Sequence, residues 1–131
     1  MKKTLSLLLC LCALFALLSA CSPAFKDDAR IGEYTALADD GKGVQYRLVL
    51  NENGEGTLTH YSTIGPEETE DVIFTIDGDR LLVHGTERVG GVIGRNEFEG
   101  VFILEGDAYT VTLRSAQSGV ALAYSPFTQV K

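Results

Sequence analysis

Val72-Ile73-Phe74-Thr75-Ile76-Asp77-Gly78-Asp79-Arg80-Leu81-Leu82-Val83 decides the fold of this 131-residue chain. Two runs rich in β-branched, aromatic and aliphatic residues flank one glycine held between two aspartates. A tight reversal needs a positive φ, which glycine adopts without a Cβ clash, and the flanking residue types suit a half-buried pleat. The stretch therefore reads as a β-hairpin. The pattern returns in Val101-Phe102-Ile103-Leu104, Glu105-Gly106-Asp107 and Ala108-Tyr109-Thr110-Val111. Laying Gly78 over Gly106 sets Phe74 on Phe102, Ile76 on Leu104, Leu81 on Tyr109 and Val83 on Val111.

Working outward, Asn51-Glu52-Asn53-Gly54-Glu55-Gly56 joins Leu48-Val49-Leu50 to Thr57-Leu58-Thr59 as a third hairpin with a longer loop. All 14 glycines fall at or after Gly32, many at turns or strand ends, a usage that suits short antiparallel strands. Helix signals are absent from the same region, apart from one turn that Pro66-Glu67-Glu68 could open before Asp71. The expected strands are Gly32 to Ala38, Val44 to Leu50, Gly56 to Ser62, Asp71 to Ile76, Arg80 to His84, Asn96 to Leu104, Ala108 to Arg114, and Val120 to Tyr124 with an extension toward Val130. Sequential hairpins without a long crossover predict an all-β fold, an antiparallel up-and-down meander of about eight strands that hides its edges by closing into a barrel. Tyr34, Tyr46, Phe74, Phe98, Phe102 and Tyr109 are the expected aromatic core.

The first 20 residues have a different character. Lys2 and Lys3 precede an apolar run from Leu5 to Leu18, the pattern of an export signal with its apolar helix. Leu18-Ser19-Ala20-Cys21 closes it with small residues and a thiol. These four positions resemble the lipobox of bacterial lipoproteins. The resemblance implies cleavage before Cys21, acylation of its sulfur, and lipid anchoring in the cell envelope outside the cytoplasm. It also makes 1–20 a signal peptide, 21–30 the acylated cysteine with a short polar tether, and 31–131 the barrel domain. Two or three acyl chains hold a protein stably where one binds only reversibly. Ser22 leaves outer-membrane sorting open in a two-membrane envelope.

Removing Lys2 and Lys3 moves the net charge from −7 to −9. An acidic domain repels nucleic acid and anionic headgroups, which excludes a nucleic-acid partner. Of the three cysteines, Cys10 and Cys12 leave with the signal peptide and Cys21 is acylated, so the domain is expected to form no disulfide.

Gly32-Glu33-Tyr34 opening the first strand, followed by a meander with acidic-glycine-acidic turns, resembles the small lipocalin-like lipoproteins of bacteria. The resemblance spans Ile31 to Arg114, with Tyr34 where the family has tryptophan. It implies a binding module for a small apolar ligand or an envelope protein, with an interior either hollow or filled by its own side chains. Arg114-Ser115-Ala116-Gln117-Ser118-Gly119 also resembles the Ser-Ala-Ser-Gly loop of periplasmic lysozyme inhibitors. That likeness implies an alternative, an anionic inhibitor of a cationic partner such as a muramidase.

No catalytic constellation is legible. Ser115, Ser118 and Ser125 stand in no strand-to-helix nucleophile turn, and the chain is read as a non-enzyme without a cofactor. His60 and His84 have no ligand at short spacing, so zinc is not expected. Glu67, Glu68, Glu70, Asp71, Asp77 and Asp79 match no calcium loop and read as solvated turns and strand edges.

Overall fold

A computed structural model describes residues 24–85 and 96–131. Lys2, Lys3, the apolar run and the lipobox Leu18, Ser19, Ala20, Cys21 lie outside the described residues, as does the signal-peptide helix. Within them every regular element is a strand: β1 (Gly32–Leu37), β2 (Val44–Leu50), β3 (Glu55–His60), β4 (Glu68–Asp77), β5 (Arg80–Gly85), β6 (Glu97–Glu105), β7 (Ala108–Val111), β8 (Arg114–Ser115) and β9 (Phe127–Gln129).

The hairpins form where alternation and glycine place them. Asp77 pairs with Arg80 and Glu105 with Ala108, leaving two-residue loops whose leading glycines have φ of 62° and 67°. Only the first loop residue is left-handed in each, the arrangement that matches the right-handed twist of the flanking strands. Neighbouring strands run antiparallel from β1 to β7, β9 inserts between β7 and β1, and β5 pairs with β6. Eight strands thus close a barrel, and β8 adds a ninth on β6.

Three expected boundaries move. The closing strand is Phe127–Gln129, and the stretch expected to be a strand from Val120 to Tyr124 makes only a single bridge, Ala121 to Arg114. Burial marks the difference: Phe127 is wholly buried and fills the barrel, whereas Val120 and Tyr124 point to solvent and the stretch between them reaches the core through Leu122 and Ala123 alone. β4 starts at Glu68, where a helical turn was an option, because Glu68, Thr69 and Glu70 pair with His60, Thr59 and Leu58. The strand expected over Ala108 to Arg114 breaks into β7 and β8, both along β6. At the break the chains crowd: a Cβ on Gly100 would stand 2.5 Å from the Thr112 carbonyl oxygen. Gly56 meets the same demand more severely, with 1.9 Å to the Val49 carbonyl oxygen.

Inward side chains alternate along each strand and pack on one another. Tyr34, Leu48, Leu50, Leu58, Val72, Phe74, Leu81, Val83, Val111, Leu113 and Phe127 are buried to 2% exposure or less. The expected aromatic core forms with one qualification, Tyr109, which is half-buried at the rim with its ring edge-on to Phe102 at 6.0 Å.

Candidate functional site

The two ends of the barrel differ, and register assigns each loop to one of them. At one, here the turn end, β2–β3, β4–β5 and β6–β7 are joined by residues 51–54, 78–79 and 106–107. The other, the loop end, carries 38–43, 61–67 and 116–126, and there β5 leaves at Gly85 and β6 returns at Glu97.

Residues 24–30, expected to be a polar tether, close the turn end. Phe25 is the only large apolar side chain in the segment, and its ring stacks on Phe74 at 5.1 Å. Its amide donates to the Glu52 carbonyl at 2.9 Å. Arg30 grips Asp28 through two parallel bonds, Nε to Oδ1 at 2.9 Å and Nη2 to Oδ2 at 2.8 Å. Its guanidinium lies 5.5 Å from the Phe102 ring centroid and donates to the Gly78 carbonyl. The Tyr34 hydroxyl donates to the Arg30 carbonyl at 2.6 Å, and Gln129 Nε2 to the Ala29 carbonyl at 2.8 Å. The Arg30 side chain hydrogen-bonded to Asp28 holds that carboxyl below its ordinary value, and Asp28 in turn raises Arg30. Burial pushes the Tyr34 hydroxyl far up, so it stays a neutral donor. Packing among the described residues therefore includes Phe25, ahead of Ile31.

At the loop end, polar groups enter the interior. Tyr46 and His60 face each other across β2 and β3 with ring centroids 4.9 Å apart. Glu70 points inward from β4 and is 2% exposed, so this member of the acidic run is no solvated edge. Burial raises the Tyr46 pKa, and the charge of Glu70 adds to the effect. The strand extension to Glu68 was the missed signal, since it puts Glu70 in phase with Val72, Phe74 and Ile76.

Around this mouth stands an apolar rim. Ile64 is 97% exposed, Tyr124 72% and Val120 66%, all on loops 61–67 and 116–126. They exceed every other large apolar side chain among the described residues. Gln45 ties the two loops together: its backbone carbonyl accepts from the Tyr61 amide at 2.9 Å, and its side-chain Oε1 accepts from the Tyr124 amide at 3.1 Å. Leu122 and Ala123 anchor the second loop in the core, leaving its neighbours outside. Strand periodicity gave no sign of this rim: Ile64 stands in a loop, and Val120 and Tyr124 were expected on a strand that does not form.

A groove of about 420 Å³ lies on the outer wall beside the β7–β8 break, lined in part by Val101, Ile103, Thr112 and Pro126 and crossed by the Arg80–Glu99 ion pair. Other grooves, lined by Gly56 and Ile73 and by Leu82 and His84, also include outward-facing wall residues.

The remaining candidates stay apart. His60 is half-buried at the mouth while His84 is exposed on β5, and among the described residues no three His, Cys, Asp or Glu side chains gather as a metal site. Ser115 Oγ accepts from the amides of Gln117 and Ser118, and Ser118 Oγ from that of Val120, so both hydroxyls shape the 116–126 loop. Glu67 lies exposed before β4, and Asp77 and Asp79 flank a turn-end glycine. No helix among the described residues is long and apolar enough to cross a membrane. No family model matches the chain, and no curated protein or solved structure is significantly similar to it.

Proposed function

We propose that this chain is a bacterial cell-envelope lipoprotein, anchored by acyl groups on Cys21, whose lipocalin-like barrel is a binding module that recognises an envelope protein with its loop end. The anchor rests on Lys2, Lys3, the apolar run and Leu18-Ser19-Ala20-Cys21. One observation carries the recognition surface: the three most exposed large apolar side chains among the described residues, Ile64, Tyr124 and Val120, all stand at the same end. Exposed apolar side chains grouped on loops of a rigid scaffold are what a partner buries. A lipophilic ligand held inside the barrel has less support, because the described inward side chains pack on each other and the grooves include outer-wall residues.

The charge of −9 from residue 21 onward favours a basic partner. This keeps the inhibitor of a cationic muramidase as the second reading, one specific case of such recognition. Two measurements in the native host test the proposal. Labelling with an alkyne fatty acid should mark the wild type and spare Cys21→Ser. A photo-crosslinking residue at Ile64 or Tyr124 should yield one discrete adduct in the envelope that the same residue at Asp77 does not. Equal labelling of both proteins would remove the anchor, and adducts from Asp77 alone would remove the loop end as the recognition surface.

A further inference from the structure

We infer that the turn end of the barrel faces the lipid surface and that the loop end points away from it, so the acyl anchor also aims the recognition surface; this rests on the reading of Cys21 as the lipidated residue. The described chain begins at Ala24, exposed at the turn end, and Phe25 is fastened there by its ring on Phe74 and its amide on Glu52. Only three peptide steps separate Cys21 from Ala24. Whatever their conformation, they span at most about 11 Å. The seven residues of β2 cover about 20 Å along the strand, or roughly 15 Å along the axis of a barrel whose strands tilt by about 40°. The loops of the far end stand beyond that. An anchor on Cys21 therefore reaches the turn end and cannot reach the rim formed by Ile64, Val120 and Tyr124.

The direction is set by the reach of the link and not by the charge of the two ends. Glu52, Asp77, Asp79, Glu105 and Asp107 crowd the short turns, and carboxylates make no adhesive contact with phosphate headgroups. The turn end is thus held by its acyl chains and stands off the surface by the length of the spacer. The rim side chains at the loop end, which would otherwise be drawn to the apolar interface, are kept free for a partner. The 24–30 clamp is what transmits direction: with Phe25 and Arg30 fixed to the barrel wall, only three residues separate the acylated position from the clamp, and so short a link keeps the domain from rolling through a wide arc.

The test uses the full chain expressed in its host, extracted from membranes and reconstituted into phosphatidylcholine vesicles. The acylated sulfur of Cys21 is unreactive, so Asp107→Cys at a turn-end loop and Thr63→Cys at a loop-end loop each offer one free thiol for a fluorophore. Vesicles carrying a nitroxide on the lipid headgroup should quench the Asp107→Cys probe several-fold more than the Thr63→Cys probe. Flotation with the vesicles together with equal or reversed quenching overturns the orientation and leaves the anchor standing. A protein that does not float and reacts at Cys21 overturns the anchor and the orientation with it.

Discussion

The turn end and the loop end are built from the same eight strands, yet one is sealed by its own chain and the other is left with apolar side chains in water. At the turn end two-residue loops keep the strands together, and Phe25 and Arg30 settle on the rings of Phe74 and Phe102. At the loop end Glu70, Tyr46 and His60 occupy the mouth, while Ile64, Val120 and Tyr124 are held outward by loops whose own anchors lie elsewhere. Among the described residues, apolar loop side chains are buried at the first end and exposed at the second. The difference separates residues that stabilise the barrel from residues that are spare for recognition, and substitutions at each end should respond accordingly.

The largest effect belongs to the seam on which both ends depend. Phe127→Ala removes a wholly buried ring from β9 and should lower unfolding free energy by about 3–5 kcal/mol, read as a fall in the urea midpoint. Next comes the seal. Phe25 is only half-buried, so Phe25→Ala should cost about 1–2 kcal/mol, with amide exchange rising first in 24–30 and the Glu52 turn and little change at the loop end. Uniform loss of protection would break the distinction between the ends.

Smaller still is the ion pair. Asp28→Asn should cost about 0.5–1 kcal/mol at neutral pH, measured as a lower Tm. The Asp28 carboxyl titrates below its ordinary value of 3.8 in the folded protein, so its contribution is complete above that value and disappears as pH falls through the lower folded one. Wild type and variant should converge in acid, and a gap that persisted there would show that the pair is not its source. Least of all, Ile64→Ser with Tyr124→Ser should change stability by no more than about 0.5 kcal/mol, as measured by urea unfolding. The pair should also abolish the loop-end crosslink. A loss as large as that of Phe25→Ala would make the rim part of the core and erase the contrast.

Alternation with period two and glycine at the turns made the hairpins readable; Phe74 could be placed in the core because it sits in phase with Val72 and Ile76, and Phe98 and Phe102 because they share one phase of β6. The same rule failed wherever burial came from outside a strand. Phe25 stands in a polar segment with no period, so its docking on Phe74 left no trace in the local pattern. Glu70 was hidden by the neighbouring Pro66-Glu67-Glu68, which mimics a helix start and masked the three extra pairs that turn the carboxylate inward. The last strand forms only in the extension toward Val130 and not over Val120 to Tyr124, although that stretch is longer and more apolar than Phe127-Thr128-Gln129; the wholly buried ring after Pro126 decides it, while Val120 and Tyr124 stay in solvent. The loop-end rim escaped notice for two reasons: Ile64 stands in an irregular loop that obeys no periodicity, and Val120 and Tyr124 alternate with Leu122 as a strand would, which read as burial.

The three-residue β9 sets the order in which the molecule can be completed. It touches β1 through Tyr34–Gln129 and Thr35–Thr128 and β7 through Thr110–Thr128 and Val111–Phe127, so closure joins the first strand of the barrel to the last. A chain that emerges from its N-terminus onward holds β1 as a bare edge until residue 129 is free, however well the intervening hairpins have formed. The finishing step is a long-range one, slow by the logic of contact order and exposed to strand capture by other chains while it waits. A protein of this design stays threadable until Phe127–Gln129 arrive, and then locks.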